Sequence, residues 1–410
     1  MRKTICELFA GVGGFRLGFE RQSKSWKTVW ADQWEPGAAH QWAYECYMRH
    51  FGDCGKDAAS IRNEDIAAVD KKCIPDFNVL TGGFPCQDYS VARSLKDSRG
   101  IEGKKGVLWW QIRDILEMKR PAFVLLENVD RLLKSPATQR GRDFAVMLAC
   151  FRDLGYGLEW RVVNAADYGA AQRRRRVFLF AWRKNTTWGA NAVSGLANAQ
   201  VWLTDGRNGG FMARTFPCEP IDSNAIETLL PQDIGAVSES FSFPFENAGT
   251  MLDGKISTMQ VQANTEPAVA LRTVLADASQ SSATILAGDR LEKFRYLKGA
   301  KRIERQAANG HRYTFSEGAI PFPDPLDVPS RTMLTSEGTV NRSTHVVADP
   351  PTGKLRLLLP VEAERLQGFD DGWTEGMPER MRFFCMGNAL VVHMVTRMAK
   401  TLASIISKEP

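Results

Sequence analysis

The stretch Glu7-Leu-Phe-Ala-Gly11-Val-Gly13-Gly14-Phe-Arg-Leu-Gly18 decides the fold. Its first residues belong to an apolar run, residues 4–9, that predicts a β-strand, and its last residues open a helical pattern. A glycine-rich turn between a strand and a helix lets the backbone approach a nucleotide-like ligand at the carboxyl edge of a parallel sheet. Many such turns carry glycines for packing alone, so this turn by itself leaves a binding role and a structural role open.

Short apolar runs alternate with longer polar-patterned stretches between residues 3 and 183. This alternation predicts an open, mostly parallel sheet whose strands are covered on both faces. The predicted strands are residues 4–9, 27–31, 77–80, 123–126 and 177–182. Beyond residue 184 polar residues become frequent and the rhythm is lost, which indicates a second domain, and residues 391–406 predict an amphipathic C-terminal helix. The fold class is therefore α/β with a second, smaller domain.

The whole chain has 410 residues, a length typical of two or three lobes, and a formal net charge of +6. The mild basic excess fits an anionic partner without deciding for one. Eight cysteines form no Cys-x-x-Cys pair, so we expect neither a disulfide framework nor a metal site. No signal peptide and no run of about 18 apolar residues is present, and we interpret the protein as reduced, cytoplasmic and not membrane-spanning.

Three further segments carry candidate chemistry. Asp32-Gln33-Trp34-Glu35 follows the second strand, where polar groups could hold ribose hydroxyls, although a helix cap explains Asp32 equally well. Cys86 follows the third strand in a loop that could lower the pKa of its thiol, whereas most cysteines are simply buried. The fourth strand delivers Glu127 to its carboxyl end, where partial desolvation would favour a proton donor, unless local backbone donors satisfy the carboxylate.

Two basic segments complete the pattern. Gln172 is followed by four arginines, residues 173–176, that run directly into an apolar strand. Charged residues are seldom buried unpaired, so at least one of these arginines should face the sheet edge and its ligands; a localisation signal is the competing interpretation. The stretch 290–312 is basic and bears aromatic residues, and it is interpreted either as a phosphate-binding surface or as a solvated helix face.

Taken in order, these segments resemble the signature motifs of the cytosine-5 DNA methyltransferase family. The matching motifs are Phe-Ala-Gly-x-Gly-Gly at residues 9–14, Pro-Cys-Gln at 85–87, Glu-Asn-Val at 127–129, Gln-x-Arg-x-Arg at 172–176, Arg-Leu-Gln-Gly-Phe at 365–369 and Gly-Asn-Ala at 387–389. The resemblance covers residues 3–183 and 325–402. It implies a Rossmann-like catalytic domain at 1–184, a target recognition domain at 185–325, and a return to the catalytic domain at 326–410.

The resemblance also implies the site residues. Its catalytic residues would be Cys86, Glu127, Arg174 and Arg176. The residues lining the site of S-adenosyl-L-methionine would be Phe9, Ala10, Gly11, Gly13, Gly14, Gln33, Trp34, Asp57, Pro85, Leu108, Asn388 and Ala389. DNA contacts would come from Gln87, Ser90, Arg93 and Arg99. The chain departs from the family at Glu7, Gln33 and His393, where Asp, Glu and Pro are usual, and which of Asp32, Gln33 or Glu35 holds the ribose stays open.

In the mechanism that the resemblance implies, Cys86 adds to carbon 6 of a flipped-out cytosine, Glu127 protonates ring nitrogen 3, and Arg176 holds the carbonyl oxygen. Carbon 5 then takes the methyl group and loses its proton as the cysteine leaves. We expect a monomer acting on double-stranded DNA in a bacterial cell or phage-infected host, as the modification arm of a restriction-modification system with a cognate endonuclease. The alternatives are a tRNA cytosine-5 methyltransferase and a catalytically inactive DNA-binding regulator.

Overall fold

The computed structural model describes residues 1–52, 60–84, 108–222, 224–276, 284–307 and 309–410. The strands in these residues are β1 Thr4–Leu8, β2 Lys27–Asp32, β3 Ser60–Arg62, β4 Val79–Gly83, β5 Phe123–Asn128, β6 Tyr156–Asn164, β7 Arg175–Arg183, β8 Cys218–Pro220, β9 Ile226–Leu229, β10 Ala248–Leu252, β11 Lys255–Met259, β12 Val261–Ala263, β13 Lys301–Gln306, β14 Arg312–Glu317, β15 Val346–Ala348 and β16 Leu355–Leu357. The helices are α1 Gly14–Gln22, α2 Trp42–Phe51, α3 Leu108–Lys119, α4 Arg142–Asp153, α5 Thr187–Gly195, α6 Ala199–Thr204, α7 Phe211–Thr215, α8 Ile234–Ser240, α9 Gly288–Lys298, α10 Pro360–Gln367, α11 Glu379–Asn388 and α12 Val392–Ile406.

The main sheet has the order β3-β2-β1-β4-β5-β7-β6-β10-β11-β9. The first five strands in this order, β3, β2, β1, β4 and β5, are parallel to one another. Each later strand in the order, beginning with β7, runs antiparallel to the strand before it. All five predicted strands are present, and the α/β prediction is confirmed. The parallel strands end at one edge of the sheet, which is where α/β proteins bind ligands.

Strand β6 was not predicted, because its apolar run is interrupted by charged residues. Glu159 and Arg161 are both buried, and each makes hydrogen bonds to backbone groups of the following segment. Glu159 accepts hydrogen bonds from the N–H groups of Phe211 and Met212, at 2.7 and 3.3 Å. Arg161 donates to the carbonyl of Leu203 at 2.5 Å. Buried charges with such partners are tolerated in a strand, but a hydrophobic pattern does not reveal them.

Two compact units make up the chain. The larger comprises residues 1–168, 175–266 and 392–410, and the smaller comprises 169–174 and 267–391. This division differs from the predicted boundaries at 184 and 325. Residues up to 266 belong to the larger unit because β10 pairs with β6, Ala248 opposite Arg161, and so extends the main sheet. Of the predicted third segment, only residues 392–410 join the larger unit.

The C-terminal helix α12 packs closely against α1 in the larger unit. A side-chain carbon added at Gly18 would lie only 2.6 Å from Val395, so the glycine permits the close approach. By length and composition, residues Glu379–Ile406 match a membrane-crossing helix. The helical path is interrupted between Asn388 and Val392, and 56% of the apolar window is buried, as in the core helices of soluble proteins.

Candidate active site

The neighbouring carboxyl ends of β4 and β5 form the centre of the candidate site. Gly83, the last residue of β4, lies opposite Glu127 of β5. The Asn128 amide donates to the carbonyl of Phe84 at 3.0 Å, and its oxygen accepts from the N–H of Val129 at 2.8 Å. Asn128 is 2% exposed, so it ties the end of β5 to the chain leaving β4 through bonds shielded from water.

Glu127 and Arg176 form an ion pair at this edge, with 2.8 Å between Arg176 Nε and Glu127 Oε1. Their side chains are 12% and 17% exposed, so the contact is largely shielded but reaches solvent. Arg176 stands near the start of β7, which pairs with β5, and its Nη1 also donates to the carbonyl of Arg175 at 2.7 Å. A carbon added at Gly83 would lie 3.3 Å from Glu127 Oε2, so the glycine leaves room beside that oxygen. The Glu127 carboxylate, which accepts hydrogen bonds, therefore lies beside the Arg176 guanidinium, which donates them through several N–H groups.

Several predicted site residues lie outside the described residues. They are Asp57, Pro85, Cys86, Gln87, Ser90, Arg93 and Arg99. Their roles stay predictions.

Arg174 was grouped with Arg176 as catalytic, and the structure gives it a different environment. It is 1% exposed within the smaller unit and donates to the carbonyls of Met333 and Gly387, at 3.0 and 2.8 Å. A guanidinium enclosed by backbone carbonyls holds chain segments together. These bonds give Arg174 a positioning role within the smaller unit, and its catalytic role stays a prediction.

The glycine-rich turn follows β1. Phe9, Gly11 and Gly13 have φ values of 53°, 57° and 90°, in the left-handed region where glycine is favoured. The N–H of Ala10 donates to the Asp32 carbonyl at 2.9 Å, and the N–H of Gly11 donates to Gln33 Oε1 at 2.6 Å. Among the residues that the structure describes, no atom lies within 4 Å of a carbon added at Gly11, so the turn faces open space there.

Two buried carboxyl groups support this turn. Glu7 accepts from the Tyr47 hydroxyl at 2.8 Å and from the N–H of Arg16 at 3.4 Å, and burial raises the pKa of its carboxyl to about 7. Burial likewise raises the pKa of Asp32 to about 7. Asp32 is 2% exposed, and its Oδ1 has no hydrogen-bond partner among the described residues. An orphaned buried acceptor is costly unless a ligand supplies a donor.

The segment after Asp32 is held by side chains to which sequence reasoning gave no role. Asn63 donates to the Gln33 carbonyl at 2.6 Å, and Gln41 both accepts from the Glu35 N–H and donates to the Glu35 carbonyl, at 2.8 and 2.9 Å. Trp34 in this segment is half-buried. Tyr47 and Asn128 were missed in the same way, because a hydrogen-bonding partner distant in sequence leaves no local pattern.

The remaining predicted cofactor residues are placed as follows. Ala10 and Gly14 are buried, while Phe9 and Leu108 are half-buried and pack against the core of the main sheet. In the smaller unit, Asn388 is exposed at the end of α11, and the N–H of Ala389 donates to the Cys385 carbonyl at 2.9 Å.

The described residues of the larger unit fit a nucleoside-bearing cofactor. Open space at Gly11, the orphaned Asp32 oxygen and the half-buried Trp34 ring offer room, an acceptor and an apolar face. The Asp32 oxygen can accept a hydrogen bond from a ligand hydroxyl group, and the Trp34 ring can contact a purine ring.

Comparisons with known proteins identify the family of the chain. The model of the C-5 cytosine-specific DNA methylase family matches residues 3–404. The chain is 46% identical over 409 residues to Type II methyltransferase M.Sau3AI of Staphylococcus aureus, covering 98% of this chain and 96% of that protein. It is 33% identical over 179 residues to Type II methyltransferase M.HhaI of Haemophilus parahaemolyticus, covering 44% of this chain and 49% of that protein.

Solved structures share the fold. The S. pombe Dnmt2 methyltransferase and the Entamoeba histolytica methyltransferase EhMeth each match with a TM-score of 0.59 and 14% identity, covering 99% of both chains. The chain belongs to the C-5 cytosine-specific DNA methylase family and is a DNA (cytosine-5-)-methyltransferase whose methyl donor is S-adenosyl-L-methionine.

Proposed function

We propose that methyl transfer occurs at the sheet edge formed by the carboxyl ends of β4 and β5 and the amino end of β7, on a cytosine turned out of duplex DNA, with Cys86 as the nucleophile. The observation that carries this proposal is the pair of Glu127 and Arg176, 2.8 Å apart, beside the chain segment that leads into Cys86. Cys86 follows Phe84 by two residues. Because two residues span at most about 7 Å, chain connectivity alone keeps Cys86 near the end of β4.

The proposed roles follow from the chemistry of cytosine. Carbon 5 becomes nucleophilic only when ring conjugation is broken, which addition of the Cys86 thiolate at carbon 6 achieves. Glu127 donates a proton at ring nitrogen 3 as charge moves onto the ring. The Arg176 guanidinium, whose Nε already bonds Glu127, turns an Nη group towards the carbonyl oxygen of the base. A water molecule then takes the proton from carbon 5, the bond between the Cys86 sulfur and carbon 6 breaks to release the thiolate, and the proton on ring nitrogen 3 returns to Glu127.

The turn around Gly11 would hold the cofactor. Asp32 Oδ1 and the Gln33 amide would meet the ribose hydroxyls, and Trp34 would lie against the adenine. Gln33 Oε1 already accepts from the Gly11 N–H, which favours Asp32 as the principal ribose acceptor. When bound, S-adenosyl-L-methionine supplies an electrophilic methyl group for carbon 5.

Reaction in this pocket requires an extruded base. The reacting atoms of cytosine are enclosed in a duplex, and turning the nucleotide out costs a few kcal/mol, recovered by contacts in the pocket. Relatives named Type II methyltransferases support a role as the modification enzyme of a restriction-modification system, with an endonuclease acting on the same site. We further propose that the enzyme acts as a monomer in the cytoplasm.

Methyl transfer to DNA and to tRNA, measured side by side with labelled cofactor, tests the substrate. We expect label only in DNA, and bisulfite sequencing of that DNA should show one recurring sequence around the methylated cytosine. Cys86→Ser should abolish transfer, whereas Cys73→Ser, at an exposed cysteine, should leave it unchanged. Labelling of tRNA in preference to DNA, or full activity of Cys86→Ser, would overturn the proposal.

A further inference from the structure

Positive charge is concentrated in one short segment of the smaller unit. Residues 288–317 contain eight Lys and Arg against four Asp and Glu, a net charge of +4, where the whole chain carries +6. This segment forms α9 and the hairpin of β13 and β14. A polyanion would therefore be attracted to this part of the surface.

The hairpin has two faces of different character. Pairing of Ile303 with Phe315 and of Arg305 with Tyr313 places the apolar and aromatic side chains on one face. The other face carries only polar side chains, which are exposed: Arg302, Glu304, Gln306, Arg312, Thr314 and Ser316. In the part of the chain that the structure describes, neither Arg302 nor Arg312 has an ion-pair partner.

The base of the hairpin is fixed to α9. Arg342 donates to the carbonyls of Leu297 and Gly299, at 2.6 and 3.2 Å, and to the carbonyl of Gly318 after β14. Lys301 donates to the Leu297 carbonyl at 3.2 Å and pairs with Glu317 at 3.6 Å. These bonds make Arg342 a support for the hairpin.

An isolated two-stranded hairpin is only marginally stable in water, and an entirely polar face adds nothing to a core. The exposed polar face is therefore free to contact a polar ligand. Its residue types are those that pair with base edges: arginine with guanine, glutamine with adenine, and glutamate with the cytosine amine. A two-stranded ribbon also fits the major groove of B-DNA.

We propose that the face of Arg302, Glu304, Gln306 and Arg312 reads bases in the major groove and so determines which DNA sequence is methylated. The proposal rests on the DNA-methylating function of the chain. At a rise of about 3.3 Å per residue, the stretch from residue 302 to 306 spans about 13 Å, the length of about four base pairs. The opposite face, where Arg305 lies 3.9 Å from the centre of the Phe315 ring, stiffens the ribbon.

Two duplexes test this assignment. The first carries the sequence that bisulfite sequencing finds around the cytosine methylated by the wild-type enzyme, and the second has one other base pair of that sequence replaced. Dissociation constants are measured for both at one salt concentration, with Arg302→Ala and Arg312→Ala. Discrimination is the ratio of the two dissociation constants. We expect each variant to lower this ratio about tenfold or more, with a much smaller change in affinity for the duplex that carries the replaced base pair.

Two variants complete the design. Arg302→Lys keeps the positive charge but loses the bidentate fork of the guanidinium, so it should lose discrimination as Arg302→Ala does. If Arg302→Ala lowers the melting temperature of the protein, the result with Arg302→Lys decides the test. Arg295→Ala removes the same charge from an exposed position of α9, 57% exposed, and should keep discrimination.

Equal weakening of both duplexes would assign the hairpin to phosphate contacts and overturn base reading. Unchanged binding of both duplexes would also overturn base reading, and would indicate that the polar face of the hairpin binds a protein partner instead. A wild-type enzyme that methylates no DNA would instead refute the function on which the proposal rests.

Discussion

Glu127 and Arg176 make the contact on which the proposed chemistry depends, and each side chain is more than four-fifths buried. Lysine at position 176 would keep the positive charge but lacks the planar fork that places separate nitrogens against Glu127 and the cytosine oxygen. We expect Arg176→Lys to lower kcat for DNA methylation by about 100-fold or more, with a smaller change in KM.

The adjacent residue provides a matched control. Arg175 is 62% exposed and pairs with Asp130 at 3.2 Å on the surface. Arg175→Lys should therefore keep kcat within about twofold, since exposed ion pairs contribute little. Equal kcat values for the two variants would remove Arg176 from the proposed mechanism.

Glu7 gives a prediction about pH. Burial raises the pKa of this carboxyl from 4.5 to about 7, so the folded protein binds its proton more tightly than the unfolded chain does. This contribution to stability is complete below the unfolded pKa and is lost as the pH rises through about 7. Glu7→Gln lacks the titration, so the stability lost by the wild type between pH 4.5 and 7.5, relative to this variant, should be on the order of 3 kcal/mol.

Urea unfolding of both proteins across this range measures the difference. Glu239→Gln, at an exposed position of α8, should follow the wild-type pH dependence. A Glu7→Gln curve parallel to that of the wild type would contradict the assigned environment of Glu7.

At the scale of elements, β1, the glycine turn and α1 could be predicted from sequence, because their pattern is local: an apolar run, glycines at left-handed positions and a helical period. The carboxyl end of β5 with Glu127, and the arginines that lead into β7, were also predicted. The antiparallel addition of β10 to β6 was not, because pairing of strands about 90 residues apart leaves no local signal. The support by Asn63, Gln41 and Tyr47 was missed for the same reason.

The glycine turn yields a test of the cofactor site. Alanine at Gly11 would add a methyl group in open space at φ 57°, and alanine at Gly353 would do the same at φ 68° in the smaller unit. Both variants carry similar backbone strain. Only Gly11→Ala should weaken S-adenosylhomocysteine binding, by about tenfold or more, because its methyl group would occupy ligand space.

Isothermal titration calorimetry gives both dissociation constants, and melting temperatures report the shared strain. Equal affinities of Gly11→Ala and Gly353→Ala for the cofactor product would place the cofactor elsewhere.

At the scale of the whole molecule, the sequence indicated two or three lobes and a mild basic charge, but neither the boundary at residue 266 nor the position of the charge. Composition changes at residue 184, whereas the compact units are defined by strand pairing, and the two need not coincide. The charge concentrated in residues 288–317 became interpretable only when pairing of β13 with β14 assigned side chains to two faces. The residues of an exposed polar face show no hydrophobic periodicity, so the sequence pattern alone does not reveal that they share a face.

In the proposed mechanism, Cys86 attacks an extruded cytosine at the edge formed by β4, β5 and β7. Incubation with S-adenosyl-L-methionine and a duplex bearing 5-fluorocytosine at the target position tests it most directly, since fluorine cannot leave carbon 5 as a proton does. We predict an adduct that survives denaturing electrophoresis, maps by peptide mass spectrometry to Cys86, and is absent in Cys86→Ala. An adduct at another cysteine, or no adduct with an enzyme that methylates the ordinary duplex, would contradict the proposed role of Cys86.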